Sequence, residues 1–348
     1  PAAAALDRDG MSAPLPVPKT DHPLRGRGPW RVGVISNPLS GGNRRRGLGA
    51  IRRCLQDHPE VPHREVRSES EVQAALEDFD GRDLNLVVVN SGDGTIQAAL
   101  TALFNHRAFP SLPLLALLCG GTTNMTHLDL GLPGPRVAAL RRLVNWAHHG
   151  EGEALVRRRS ILKVQAPCCP HPLYGLFFGA ACIFKGIQFF HSSVHRMGLS
   201  GDPAHLVILA RFLWALARRQ DTLVAPVSTA IRADRCRVVS KDLLLLLITT
   251  LDRLILGLRP FWGPGGGALR ITAVSAGFRR LPFALPALIR GRGAAWATPD
   301  NGYLSCTARD IRLEMDGGFA IDGELFSADP GSGPVRIQDG GAADFLRV

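Results

Sequence analysis

The sequence predicts an α/β N-terminal domain, an open and mostly parallel sheet with helices on both faces. A C-terminal, mainly antiparallel β-sandwich domain with helical insertions follows, with a ligand cleft between the two. Two patterns carry this. Before residue 150, apolar runs alternate with helix-periodic segments in the order β-α-β-α-β-α-β, the signature of a parallel sheet. After it, short strands separated by Gly and Pro turns dominate. A length of 348 residues suits two domains, here 29–150 and 151–348, with 1–28 read as a disordered, Ala/Pro/Arg-rich tail in which Met11 is a candidate start.

In the first domain, "WRVGVISNP" (Trp30 to Pro38) reads as a strand ending in a turn. "RRRGLGAIRRCLQDH" follows as one basic amphipathic helix with Leu48, Ile51 and Leu55 at helical spacing. "HREVRS" is a short strand, and Ser70 heads the next helix as the cap. "LNLVVV" is a continuous apolar run, as expected of a strand buried on both faces. A helix over Thr95–Asn105 and a strand over Leu112–Leu118 complete the pattern.

The second domain is read as strands at Ala154–Gln165, Leu173–Cys182, Ala225–Val239, Leu243–Thr250, Ala268–Val274, Ile311–Glu314, Ala320–Asp322 and Val335–Ile337, with helices at Pro203–Arg219 and Leu281–Arg290. The longest apolar stretch, Leu243 to Leu251, is far short of the ~20 residues that span a bilayer and reads as a buried strand.

The formal charge is +11 and the pI about 10.1. Only Lys19, Lys163, Lys185 and Lys241 are lysines, so arginine carries nearly all the positive charge. That balance attracts phosphate-bearing partners. Nucleic acid is excluded as a specific partner, because neither a helix-turn-helix nor a zinc-finger spacing occurs. The seven cysteines are scattered apart from Cys168-Cys169, and reduced thiols in a cytoplasmic protein are expected.

Three turns fall where strands hand over to helices, the edge at which open α/β sheets bind ligands. The first is "SNPLSGGNRRR": Asn37, Pro38, Ser40, Gly41 and Gly42, with Arg44 to Arg46 beside them. Glycine admits a ligand close to the backbone, and helix-start amides attract anions. The second is "NSGDGT": Ser91, Gly92, Asp93, Gly94 and Thr95. Asp93 would repel bare phosphate and suits a site where a divalent cation lies between, or it is a helix-capping Asp. The third is "CGGTTN", with Gly121, Thr122 and Asn124. A fourth element, "FAIDGELFS", puts Asp322 and Glu324 on one face of an extended chain, as a metal or proton-accepting pair or as a hairpin turn.

The order N-P-x-S-G-G, S-G-D-G-T, G-G-T-T-N and D-G-E resembles the diacylglycerol kinase catalytic family, especially its bacterial soluble members, which are related to sphingosine kinases. The likeness runs over roughly residues 30 to 348. It implies an ATP-dependent lipid kinase that transfers the γ-phosphoryl group to a lipid hydroxyl, with ATP and Mg2+ required. On that resemblance the first three turns bind nucleotide, Asp322 is the base with Asp93 as its catalytic partner, and Asp93 and Glu324 face Mg2+. Ser91 stands where the bacterial pattern has glycine, and Thr123 and Met125 replace a small residue and an Asp. The implied partners are a lipid substrate and the anionic inner face of a membrane, touched peripherally; a homodimer is left open. Two alternatives stand beside it: a kinase for a soluble acceptor, like NAD kinases, and a catalytically decayed nucleotide- or lipid-binding protein.

Overall fold

The computed structural model describes residues 21–23, 30–106, 109, 111–150, 152–189, 225–234, 236–263, 266–278, 290–291 and 297–348, with the backbone alone at 21–23 and 236–241. The expected helices at 203–219 and 281–290 lie outside the described residues, Arg290 excepted. So does most of the expected tail.

Strand β1 (Asp21–Pro23) comes first. The α/β domain then runs β2 (Val32–Ser36), α1 (Gly41–Arg46), α2 (Gly49–Gln56), β3 (His63–Glu65), α3 (Glu69–Gly81) and β4 (Leu86–Ser91). It continues α4 (Asp93–His106), β5 (Leu114–Cys119), α5 (Met125–Leu130) and α6 (Arg136–His149). Strands pair in parallel in the order β3-β2-β4-β5. Alternation divides each strand between two layers. Val87, Val89, Leu115 and Leu117 face α3 and α4 in one core, while Leu86, Val88, Leu114 and Leu118 face α2 and α6 in the other. Burial on both faces is why these strands read as unbroken apolar runs.

The second domain contains β6 (Leu155–Gln165), β7 (Leu173–Gly175), β8 (Phe177–Ala181), α7 (Cys182–Phe189), β9 (Val227–Ala233) and β10 (Cys236–Thr249). Then come β11 (Leu269–Ser275), β12 (Tyr303–Ala308), β13 (Asp310–Met315), β14 (Gly317–Ile321), β15 (Glu324–Ala328) and β16 (Val335–Arg347). All pairs within it are antiparallel, around a core that includes Phe178, Leu246, Ile271, Leu313 and Phe319. Strand β16 pairs along most of its length with β6 and, at Phe345, in parallel with Leu115 of β5. The C-terminal strand thereby stitches the two domains into one continuous sheet.

Several local expectations are corrected. The single basic helix is broken at Gly47, whose φ of 67° ends α1. The α3 cap is Ser68 and not Ser70: the Ser68 hydroxyl accepts from the Glu71 amide, and Glu71 reaches back to the Arg67 amide. Helix α4 begins two residues before Thr95, so Asp93 lies in its first turn. Of the tail, Asp21–Pro23 is a strand paired with Leu155–Arg157, because the free edge of β6 offers it backbone partners. The strand expected over Leu173–Cys182 is divided into β7 and β8, and Cys182 begins α7. Cys306 is disulfide-bonded, against the expectation of thiols throughout, whereas Cys54, Cys119, Cys168, Cys169 and Cys182 are free. Among the described residues no helix is long and apolar enough to cross a membrane.

Candidate active site

The three glycine turns meet at the C-terminal edge of the parallel sheet. They meet so closely that side chains would not fit. A Cβ on Gly42 would lie 2.7 Å from both the Gly120 and Gly121 carbonyl oxygens, and one on Gly92 would lie 3.1 Å from the Gly121 Cα. Backbone thus packs directly against backbone where the turns meet.

Side chains lock the turns together. Ser40 Oγ donates to the Gly120 carbonyl (2.7 Å), tying the first turn to the third. Asn37 Nδ2 and Ser91 Oγ both donate to Thr95 Oγ1, at 2.9 and 2.7 Å, tying the first turn to the second. Asn124 has φ 53°, and its amide both accepts from Gly121 N and donates to Gly121 O, closing the third turn on itself. Pro38, Gly41, Thr122 and Gly94 lie on the same edge, the Gly41 Cα against the Thr122 hydroxyl.

Asp93 is buried, and both its oxygens are engaged. Oδ2 accepts from Met125 N at 3.0 Å and Oδ1 from Thr126 N at 2.9 Å. The carboxylate holds the first turn of α5 against the first turn of α4. An Asp between two glycines is therefore explained by a capping contact made across the fold, to a helix 32 residues away.

Asp322 comes from the other domain, in the tight turn between β14 and β15. It is buried, with φ 47°. Oδ2 accepts from Leu176 N at 2.9 Å, and its own amide donates to the Phe177 carbonyl at 3.0 Å. Oδ1 has no hydrogen-bond partner among the described residues. Burial pushes the carboxyl well above the ordinary carboxylate range. The Leu176 amide opposes the rise, and the nearby negative charge of Asp93 adds to it. Gly175 leaves room for this carboxylate, since a Cβ there would run into Oδ2. Glu324 is exposed, and its Oε1 rests on Gly94, so D-G-E and G-D-G are in contact across the domain boundary.

Three supports went unread in the sequence. Asn43 donates to the carbonyls of Asn37 (2.9 Å) and Asn90 (2.8 Å), holding the ends of β2 and β4. Buried Arg136, the first residue of α6, donates to Asn43 Oδ1. Asp129 of α5 joins Arg159, Asp252 and Arg270 in an ion-pair chain that ties the third turn's helix to the second domain. Asn43 adjoined a recognised motif; the others bore no local signal.

Residues 31–150 match the sequence profile of the diacylglycerol kinase catalytic domain. No curated protein matches the chain. The fold is similar to that of a diacylglycerol kinase from Bacillus anthracis str. Sterne, with a TM-score of 0.56 and 17% identity over 91% of this chain and 96% of that one. A second structure from that organism, described as a candidate diacylglycerol kinase, gives a TM-score of 0.60 and 19% identity over 93% of this chain and 98% of that one. The likeness is thus to the diacylglycerol kinase catalytic domain in sequence over residues 31–150, and to bacterial diacylglycerol kinase structures in fold over most of the chain.

Proposed function

We propose that this protein is an ATP-dependent lipid kinase, in which the turns of the α/β domain hold the nucleotide and Asp322 of the second domain accepts the proton of a lipid hydroxyl. The observation that carries the reading is the buried Oδ1 of Asp322, which has no hydrogen-bond partner among the described residues, on a carboxyl whose pKa is raised. A base works best with a pKa near the operating pH. The hydroxyl proton passes to Asp322, the lipid oxygen bonds to the γ-phosphorus, and the bridging bond to the β-phosphate breaks, leaving ADP. The protein's contribution is position and charge. Amides at the start of α4 and in the Gly41-Gly42 turn suit phosphate oxygens, while the Gly120 and Gly121 amides are taken by the Ser91 carbonyl and Asn124 Oδ1 and shape the third turn.

The donor set fits Mg2+ on the Glu324 side. Glu324 is an exposed carboxylate beside Gly94, whereas the Asp93 oxygens are already shared with two amides. Bound there, Mg2+ would supply charge neutralisation for the phosphates. Asp93 acts through α5 on this reading, as the partner that holds the second and third turns in register.

An apolar path supports a lipid acceptor. Helix α7 carries Ile183, Phe184, Ile187 and Phe189 half-buried, and the Phe184 ring covers Gly318 of β14, the strand that leads to Asp322. The basic charge suits peripheral contact with an anionic membrane. Incubation with ATP, Mg2+ and either a lipid extract or NAD, read by mass spectrometry, tests this. Phosphorylated lipid is expected; phosphorylated NAD alone, or no product, overturns it.

A further inference from the structure

At the opposite end of α6 from the phosphate turns lies a cluster that the kinase reading does not use. His58, Glu60 and His148 present ligand atoms that all lie within 4.8 Å of one another. His58 Nδ1 and His148 Nε2 each stand 3.4 Å from the same oxygen, Glu60 Oε1. Bonds of ~2.0–2.1 Å in a tetrahedral site put neighbouring ligand atoms ~3.3–3.4 Å apart. Two of the three separations already have that length. Two imidazoles and one carboxylate leave a fourth position for water or another ligand.

The fold holds these groups firmly. His58 and Glu60 flank Pro59 in a turn closed by the Val61 amide donating to the His58 carbonyl at 3.0 Å. Pro at the second position presets such a turn. Val61 on one side and Ala147, beside His148, on the other are buried in the same core layer, where α2 meets α6. His148 lies in the last turn of α6, whose C-terminal end favours positive charge. Twelve residues separate His148 from Arg136, about 18 Å along the helix, so this place is distinct from the phosphate turns.

We propose that His58, Glu60 and His148 form a binding site for a single transition-metal ion of the Zn2+ class, pinning the turn after α2 to the end of α6. The nitrogen-rich set selects against Mg2+ and Ca2+, which prefer oxygen ligands.

The test uses the full, untagged, metal-free chain. Zn2+ is titrated in competition with a chromophoric chelator, and Co2+ binding is followed by its visible absorption. One equivalent is expected, with the d–d bands of a four-coordinate Co2+ site and a Zn2+-induced rise in melting temperature. His148→Ala and Glu60→Gln should each weaken Zn2+ binding about tenfold or more and abolish the rise, while His149→Ala leaves both unchanged. Far-UV circular dichroism reports that the variants are folded. No stoichiometric binding, or binding that survives His148→Ala and Glu60→Gln yet disappears in Cys168→Ser/Cys169→Ser, overturns the proposal.

Discussion

The Glu324 carboxylate fills the space in front of the Gly94 Cα. A Cβ added at residue 94 would strike Oε1, with the Glu324 Cδ at 3.1 Å. One residue of the α/β domain and one of the β domain thus share a single volume. Gly94→Ala would displace the mobile end of Glu324 and leave the backbone in place. It also puts alanine inside α4, which favours the helix by up to ~1 kcal/mol. The expected outcome is phosphoryl transfer reduced by about tenfold or more with a melting temperature unchanged or raised. Turnover and thermal unfolding of one preparation check both.

Asp322 sets a pH dependence of stability. Its folded pKa lies above the unfolded value, so the native state holds its proton more tightly. The stability it contributes is fully present below the ordinary carboxylate range and is lost as pH rises through the raised value. An asparagine side chain in its place would carry no such loss, and asparagine tolerates a positive φ better than most residues. At neutral pH, Asp322→Asn should melt no lower than the native protein; near pH 4 the advantage should vanish. Denaturation curves across that range decide the matter.

Asp252 behaves in the opposite sense. Burial alone would raise it, but the hydrogen bond from Arg159 and the charges of Arg159 and Arg270 outweigh that and hold it at about 2, against an ordinary 3.8. Its stabilisation is present above the ordinary value and is lost as pH falls toward about 2. The shift corresponds to about 2 kcal/mol at neutral pH. Asp252→Asn should lower the melting temperature at pH 7 and make little difference near pH 2. Because the ion-pair chain reaches Asp129 of α5, nucleotide affinity is expected to fall along with stability at pH 7.

What was legible in the sequence was local. Runs such as Leu86 to Val89 declared buried parallel strands, because a strand covered on both faces has no polar alternation to hide it. The glycine turns were legible as turns, and the structure brings all three to one edge. What was not legible depended on distant partners. Asp93 reads as a metal ligand, with a cap as the alternative, until the Met125 and Thr126 amides arrive from α5. Ser70 reads as the cap until the Glu71 amide, by donating to the Ser68 hydroxyl, selects the residue two positions earlier. The strands β12 and β15 lacked clear alternation: β12 buries Tyr303 and Thr307 on one face and Ala308 on the other, and β15 has no buried residue. Arg136 and Asp129 acquire meaning only through Asn43 and Arg159, far away in sequence.

The central claim is that Asp322 serves as the proton acceptor for a nucleotide held by the other domain. Single-turnover transfer of the γ-phosphoryl group from ATP to extracted lipid, compared between the native protein and Asp322→Asn, tests it most directly. The account predicts a fall of about 100-fold or more in the transfer rate, with ATP affinity unchanged. Equal rates in the two proteins would contradict it.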